Sequence, residues 1–297
     1  MQLKYSFKKE WAHFSRTFRM WGVIIAILGF ALANPMMFKF VATFLGGSAS
    51  EDPTTSAISV INQAASDSSD GSPGGIDIEE AKIMYSDAGL MFSVTLSSFA
   101  SYGLLVIMLL LMSAAGGEQK KRAMIVPMCS GLEYKNYLIP KFVIYPLFTF
   151  AVSFLSSFIA GGLCNSMFPN NKVSAGGMFL SALDISVYMV FIVCVFLSLG
   201  LCTSRAGAMV PCIFLGQMLV ESLLNGLGLV RYHPFALLSY ISGGFITSPL
   251  YPFEEETASF ITAMALSLAI CVLMYFLALG VLKAKKINNQ EDIAPEF

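Results

Sequence analysis

"MFLSALDISVYMVFIVCVFLSLGL", residues 178–201, runs from Met178 to Leu201 with a single charge, Asp184, and no proline. At about 1.5 Å per residue, a helix of this length covers the roughly 30 Å hydrocarbon core of a bilayer. Lipid offers no hydrogen-bond partners, so a segment crossing it must bond its own backbone, as a helix does. The stretch is read as a membrane-spanning helix.

Five further stretches meet the same criterion of length and apolarity: Met20 to Phe38, Leu90 to Ala115, Phe142 to Leu163, Ala208 to Val230 and Ala258 to Leu282. The composition agrees, with 56% hydrophobic and 12% charged residues against roughly 45–50% and 25% in soluble domains. The expected fold is an all-α membrane protein of six transmembrane helices, one domain over residues 1–297. A net charge of −1 gives no basic excess that would suggest nucleic acid.

Cytoplasmic flanks of spans are enriched in Lys and Arg. Lys4, Lys8, Lys9, Arg16 and Arg19 precede the first span, five basic residues from Lys120 to Lys141 separate the second and third, Arg205 lies between the fourth and fifth, and Lys283, Lys285 and Lys286 follow the sixth. The other connections carry few basic residues and most of the acids. Both termini are therefore expected in the cytoplasm, as is the segment 116–141.

Within residues 1–19, Phe7, Trp11, Phe14 and Phe18 recur at helical spacing, with Lys8, Lys9, Arg16 and Arg19 on the opposite side. This predicts an amphipathic helix lying in the cytoplasmic interface, aromatic side toward the bilayer. A cleaved signal peptide is the rival reading, since "ALA" at 31–33 follows an apolar run. The basic leader is long for that pattern, so retention is expected.

The outer loop 46–88 is rich in Ser, Asp and Gly and reads as largely without fixed structure. No zinc-hydrolase or phosphate-loop motif occurs in the chain, and its six cysteines show no metal-ligand spacing, so they read as small apolar residues. Catalysis and metal binding are not expected of this chain.

Two acids fall inside spans, where charge is costly: Asp184 in the fourth and Glu221 in the fifth. Counting along the helices places both in the outer half at comparable depth. They line a translocation path or subunit interface in one reading. In the other they bond neighbouring polar groups, or pair with Lys39 or Arg231.

The segment "GGEQKKRAMIVPMCSGLEYKNYLIPK", residues 116–141, is long for a plain connector. Pro127 stops a short helix that starts near Glu118, and Ser130 with Glu133 matches the S-x-x-E capping box, so a second helix is expected to start at Ser130, with Pro140 a kink on the way to the third span. In its acidic residue, proline, hydroxyl residue, aromatic and lysine (Glu118, Pro127, Ser130, Tyr134 and Lys141), the segment resembles the first cytoplasmic loop of type-2 ATP-binding-cassette (ABC) transporter permeases. The likeness extends over the elbow-like N-terminal helix, six spans, large first outer loop and proline-containing outer segment 231–257. Ala123 departs from the family pattern, where a hydroxyl residue is common.

The resemblance implies a permease subunit that moves a substrate, by export, with ATP hydrolysed elsewhere. ATP and Mg would bind two separate P-loop ATPase subunits, and this chain would hold no cofactor. Residues 116–141 would act as a coupling helix, with Glu118, Lys121, Arg122, Pro127, Ser130, Glu133 and Tyr134 at the ATPase contact. A second permease subunit, identical or related, would complete the assembly, and 231–257 would be a re-entrant outer segment. The implied setting is the lipid bilayer of a bacterial plasma membrane. The alternative is an ion- or proton-coupled secondary transporter that uses Asp184 and Glu221.

Overall fold

In a computed structural model of the chain, described over residues 2–16, 18–46, 87–112, 114, 133–203, 206–229, 231–242 and 254–291, each long apolar stretch is helical. An N-terminal helix α1, Gln2–Arg16, leads into α2, Phe18–Gly46. The second span is α3, Ala88–Ser98, a π-helical turn over Phe99–Gly103, and α4, Leu104–Met112. Then follow α5, Tyr134–Met167, α6, Ala175–Thr203, α7, Ala206–Gly226, a short α8, Ala236–Ser242, and α9, Glu254–Glu291. Six of these segments are long and apolar enough to cross a membrane, and the architecture is that of a multi-pass membrane protein. Among the described residues there is no strand, only an isolated bridge between Asp87 and Asn170.

The stretch that decides the fold is also its centre. α6 packs against α5, α9, α7, α8 and α4, and it is the most buried of the spans. Ile185, Met189, Val193, Phe196 and Leu197 are all buried in one continuous core. Its main partner, α5, presents small and hydroxyl residues: Thr149, Ser153, Ser156, Ser157, Ala160 and Gly161 are buried. Ser153, Ser156 and Ser157 donate back to the carbonyls of Thr149, Val152 and Ser153, so their hydroxyls are satisfied within the helix. Small, internally bonded residues let two helices approach closely where the hydrophobic effect gives no drive between them. A Cβ on Gly161 would lie 2.8 Å from Met178 Sδ.

Several boundaries differ from the sequence reading. α5 runs unbroken through Pro140 and Pro146, which membrane helices tolerate because neighbours and local adjustments accommodate the lost bond. It starts at Tyr134, not Ser130. Glu133 is the extended N-cap residue, with φ −72 and ψ 144, whereas a helix capped by Ser130 would hold Glu133 in helical conformation. Glu133 makes no side-chain cap and instead pairs with Lys135 at 2.9 Å on the exposed surface. The capping-box assignment is therefore corrected.

At the far end of the bundle from α1, the connections fold back onto the helices. Asp87 accepts from Leu90 N–H at the start of α3 and from Asn171 Nδ2 at 2.7 Å. Asn171 adopts a left-handed φ of 45, a conformation Asn tolerates better than most residues. Residues 231–242 turn back onto the bundle, and α8 packs on α3, α6 and α9 with Ala236, Leu237, Tyr240 and Ile241 buried.

Candidate functional site

The most elaborate polar arrangement joins α1 to the start of the third span. On α1, Ser6, Glu10 and Phe14 recur every four residues and are buried. On α5, Tyr137, Lys141 and Tyr145 do the same. The two ladders meet. Lys141 Nζ donates to Glu10 Oε1 at 3.1 Å and to the Ala114 carbonyl at 3.5 Å, and Tyr145 Oη donates to the same Glu10 oxygen at 2.7 Å. The ammonium also stands 5.1 Å from the Tyr137 ring centroid, a favourable position over a π face. Phe14 seals the next layer, edge-on to Tyr145 and Phe148 with centroids 5.1 and 4.9 Å away.

A buried pair of this kind is a constraint more than a source of stability, since desolvation offsets most of the attraction while loss of one partner is expensive. Lys141 thus holds three pieces in one geometry: α1, the end of the second span at Ala114, and the third span. Residues 115–132, which carry most of the predicted coupling segment, lie between the last two.

The aromatic stripe of α1 behaves differently from expectation. Phe14 is fully buried against protein and Phe7 is partly buried, but Trp11 is about half exposed. The inward face is rotated toward Ser6 and Glu10 because Lys141 and Tyr145 bond the carboxylate there. A periodicity that counts only apolar residues passes over Glu10. Phe18 is the first residue of α2.

Of the predicted coupling residues, Glu118, Lys121, Arg122, Pro127 and Ser130 lie outside the described residues. Glu133 and Tyr134 mark the entry into α5, one exposed and one half-buried.

The two intramembrane acids are placed apart in character. Asp184 is fully buried on α6, and neither carboxylate oxygen has a hydrogen-bond partner among the described residues. Ser181 Oγ, one turn away on the same helix, is likewise buried and unbonded. Glu221 is half-buried on α7 and within electrostatic reach of Tyr188 on α6, whose hydroxyl bonds Gln217. Helix counting explains the mismatch: Tyr188 lies fifteen residues before Thr203, and Glu221 fifteen residues after Ala206, so both stand about 22 Å from the α6–α7 turn. Asp184 lies one turn further out. Lys39, a suggested partner for these acids, instead donates to the Met167 carbonyl at the end of α5, at 2.8 Å.

Among the described residues, no group of three His, Cys, Asp or Glu side chains is placed to hold a metal ion. Cys164 and Cys194 are buried, Cys202 and Cys271 are half-buried, and Cys212 is exposed; all five are free thiols. The geometry describes a helical membrane bundle with a buried charged clamp at one end and an unbonded carboxylate toward the other. Comparison with known proteins finds no matching family model, no matching curated protein and no matching solved structure.

Proposed function

We propose that this chain is the membrane-spanning permease subunit of an ABC transporter, exporting a substrate with ATP hydrolysed on a separate P-loop ATPase subunit. The observation that supports it most is the Lys141 clamp. A force applied to residues 115–132 would reach the second span through Ala114, the third through α5 and the N-terminal helix through Glu10, all by way of one side chain. A connector with no mechanical task has no need of a buried ion pair at its root.

In this reading α1 lies along the cytoplasmic interface as an elbow helix, with exposed Trp11 at the headgroup level. Both termini are cytoplasmic, and a second permease chain, identical or related, completes the pathway. Copurification from native membranes tests the assignment. Recovery of a P-loop ATPase with this chain supports it, and recovery of the chain without one counts against it.

A second reading, an ion- or proton-coupled transporter, is favoured by Asp184, because a buried carboxylate with no partner among the described residues is the kind of group that carries a cation or proton across a membrane. Transport driven by an ion gradient without any ATPase would select it.

A further inference from the structure

α7 and α9 each pack on α6, yet they make little contact with each other. Between them lies a cavity of about 610 Å³, within the 300–1,000 Å³ range of ligand sites. Phe191 and Val195 of α6 form its floor, α7 and α9 form its walls, and Leu229 with Tyr232 to Phe235 closes one end. Among the described residues that line it, Gln217, Tyr232 and His233 carry side-chain nitrogen or hydroxyl groups, and the other side chains are hydrocarbon or sulfur.

The shape matches one class of occupant. Along α7 the lining runs from Cys212 to Leu224, roughly 18 Å of helix, or about the depth of one hydrocarbon leaflet. Val220 and Leu266, on opposite walls, are exposed, so the cleft is open on the side where its two walls fail to meet. In a membrane that side faces lipid. At the closed end, His233 Nδ1 accepts from Ala236 N–H at 3.0 Å, and Tyr240 Oη donates to the Arg231 carbonyl at 3.0 Å, holding the backbone beside Tyr232.

We propose that this cleft binds one acyl chain of a bilayer phospholipid, which enters sideways between α7 and α9 from the leaflet opposite α1, with its polar head at the level of Tyr232 and His233. Burial of hydrocarbon against hydrocarbon gives no drive when the chain merely leaves lipid, so retention comes from packing in a slot of fixed width. Gly216 leaves that slot open: a Cβ built there meets no atom within 4 Å.

The full-length chain, reconstituted in nanodiscs of phosphatidylcholine carrying a diazirine on one acyl chain, is irradiated and its labelled peptides are mapped. Label is expected to concentrate at Val220, Leu224, Leu266 and Ile270 over lipid-facing Leu147 and Leu155. Gly216→Phe should remove most of the cleft labelling, because its ring would occupy the open space beside Gly216, and leave Leu147 labelling unchanged. Ile270→Trp, which fills the slot from the opposite wall, is the second variant should the first fail to fold. Uniform labelling unaffected by either variant overturns the proposal, as do cross-links joining two copies of the chain through the cleft. Neither readout depends on an ATPase or on transport.

Discussion

Lys141 Nζ and Glu10 Oε1 stand 3.1 Å apart, with the lysine wholly buried, across 131 positions of sequence. The pair fixes where the N-terminal helix sits on the bundle, and its loss should be felt in stability before anything else. Lys141→Met or Glu10→Gln each leaves one buried charge without its counterpart, at an expected cost of about 3–5 kcal/mol. The double variant should cost less than the sum of the two, because it removes both charges together. Thermal unfolding of the four proteins in one detergent measures the coupling. Additive losses would mean the two groups do not interact.

The α5–α6 contact gives a sharper steric test because two adjacent glycines differ in surroundings. A Cβ at Gly161 meets Met178 Sδ at 2.8 Å and Phe92 Cε2 at 3.3 Å, whereas one at Gly162 meets nothing within 4 Å. Gly161→Leu is expected to destabilise by about 1–3 kcal/mol through overpacking. Gly162→Leu should be close to neutral. Equal effects in a thermal melt would show that the two helices can separate freely at this level.

What could be read from the sequence was whatever a single helix reveals of itself. Each of the six spans has a length and apolarity that need no neighbour to interpret, but that α6 is the most buried of them shows only once the helices are packed. Relationships between helices were not legible in the same way. Glu10 looks like one more surface charge until Lys141 and Tyr145 are brought to it from far along the chain. Asp184 and Glu221 were placed at comparable depth from approximate span ends, and the observed ends move Asp184 away by one turn, so that Tyr188 is the α6 residue level with Glu221. The Ser130 cap failed for a local reason: S-x-x-E is a short pattern, and Glu133 is extended and pairs with Lys135 instead of turning into a helix.

His233 should make the turn before α8 sensitive to acid. Burial holds its imidazole below the ordinary value of 6.5, and its unprotonated Nδ1 accepts from Ala236 N–H. A base whose folded pKa is depressed stabilises the fold fully above its unfolded pKa, and that stability is lost as pH falls through 6.5 toward the folded value. Amide exchange over residues 236–242, corrected for intrinsic rate, should speed up as pH drops from about 7 to about 5. In His233→Phe, exchange should be fast throughout, and a wild-type profile that stays flat would refute the assignment.

The coupling reading makes its own demand on residues 118–122. Replacing Glu118, or reversing Lys121 and Arg122 to Glu, should leave membrane insertion intact while weakening ATPase association by about 2 kcal/mol, near thirtyfold, since like charges set against each other at an interface are costly. Transport should fall with it. Unchanged ATPase binding together with unchanged transport would remove this segment from the contact.

Asp184 offers a way to separate cost from use. Its carboxylate is buried with neither oxygen bonded among the described residues, and an unsatisfied buried polar group costs about 1–3 kcal/mol, more when charged. If nothing else holds it in place, Asp184→Leu should make the bundle more stable by that order, because an apolar side chain of similar length replaces a group the core does not satisfy. On the proposed transport reading, a residue that weakens the fold persists because the activity needs it, so the same variant should lose transport. A variant both more stable and fully active would show the acid to be idle. One that is less stable would show that the carboxylate has a partner in the assembled protein, and a second permease chain would then be the first place to look for it.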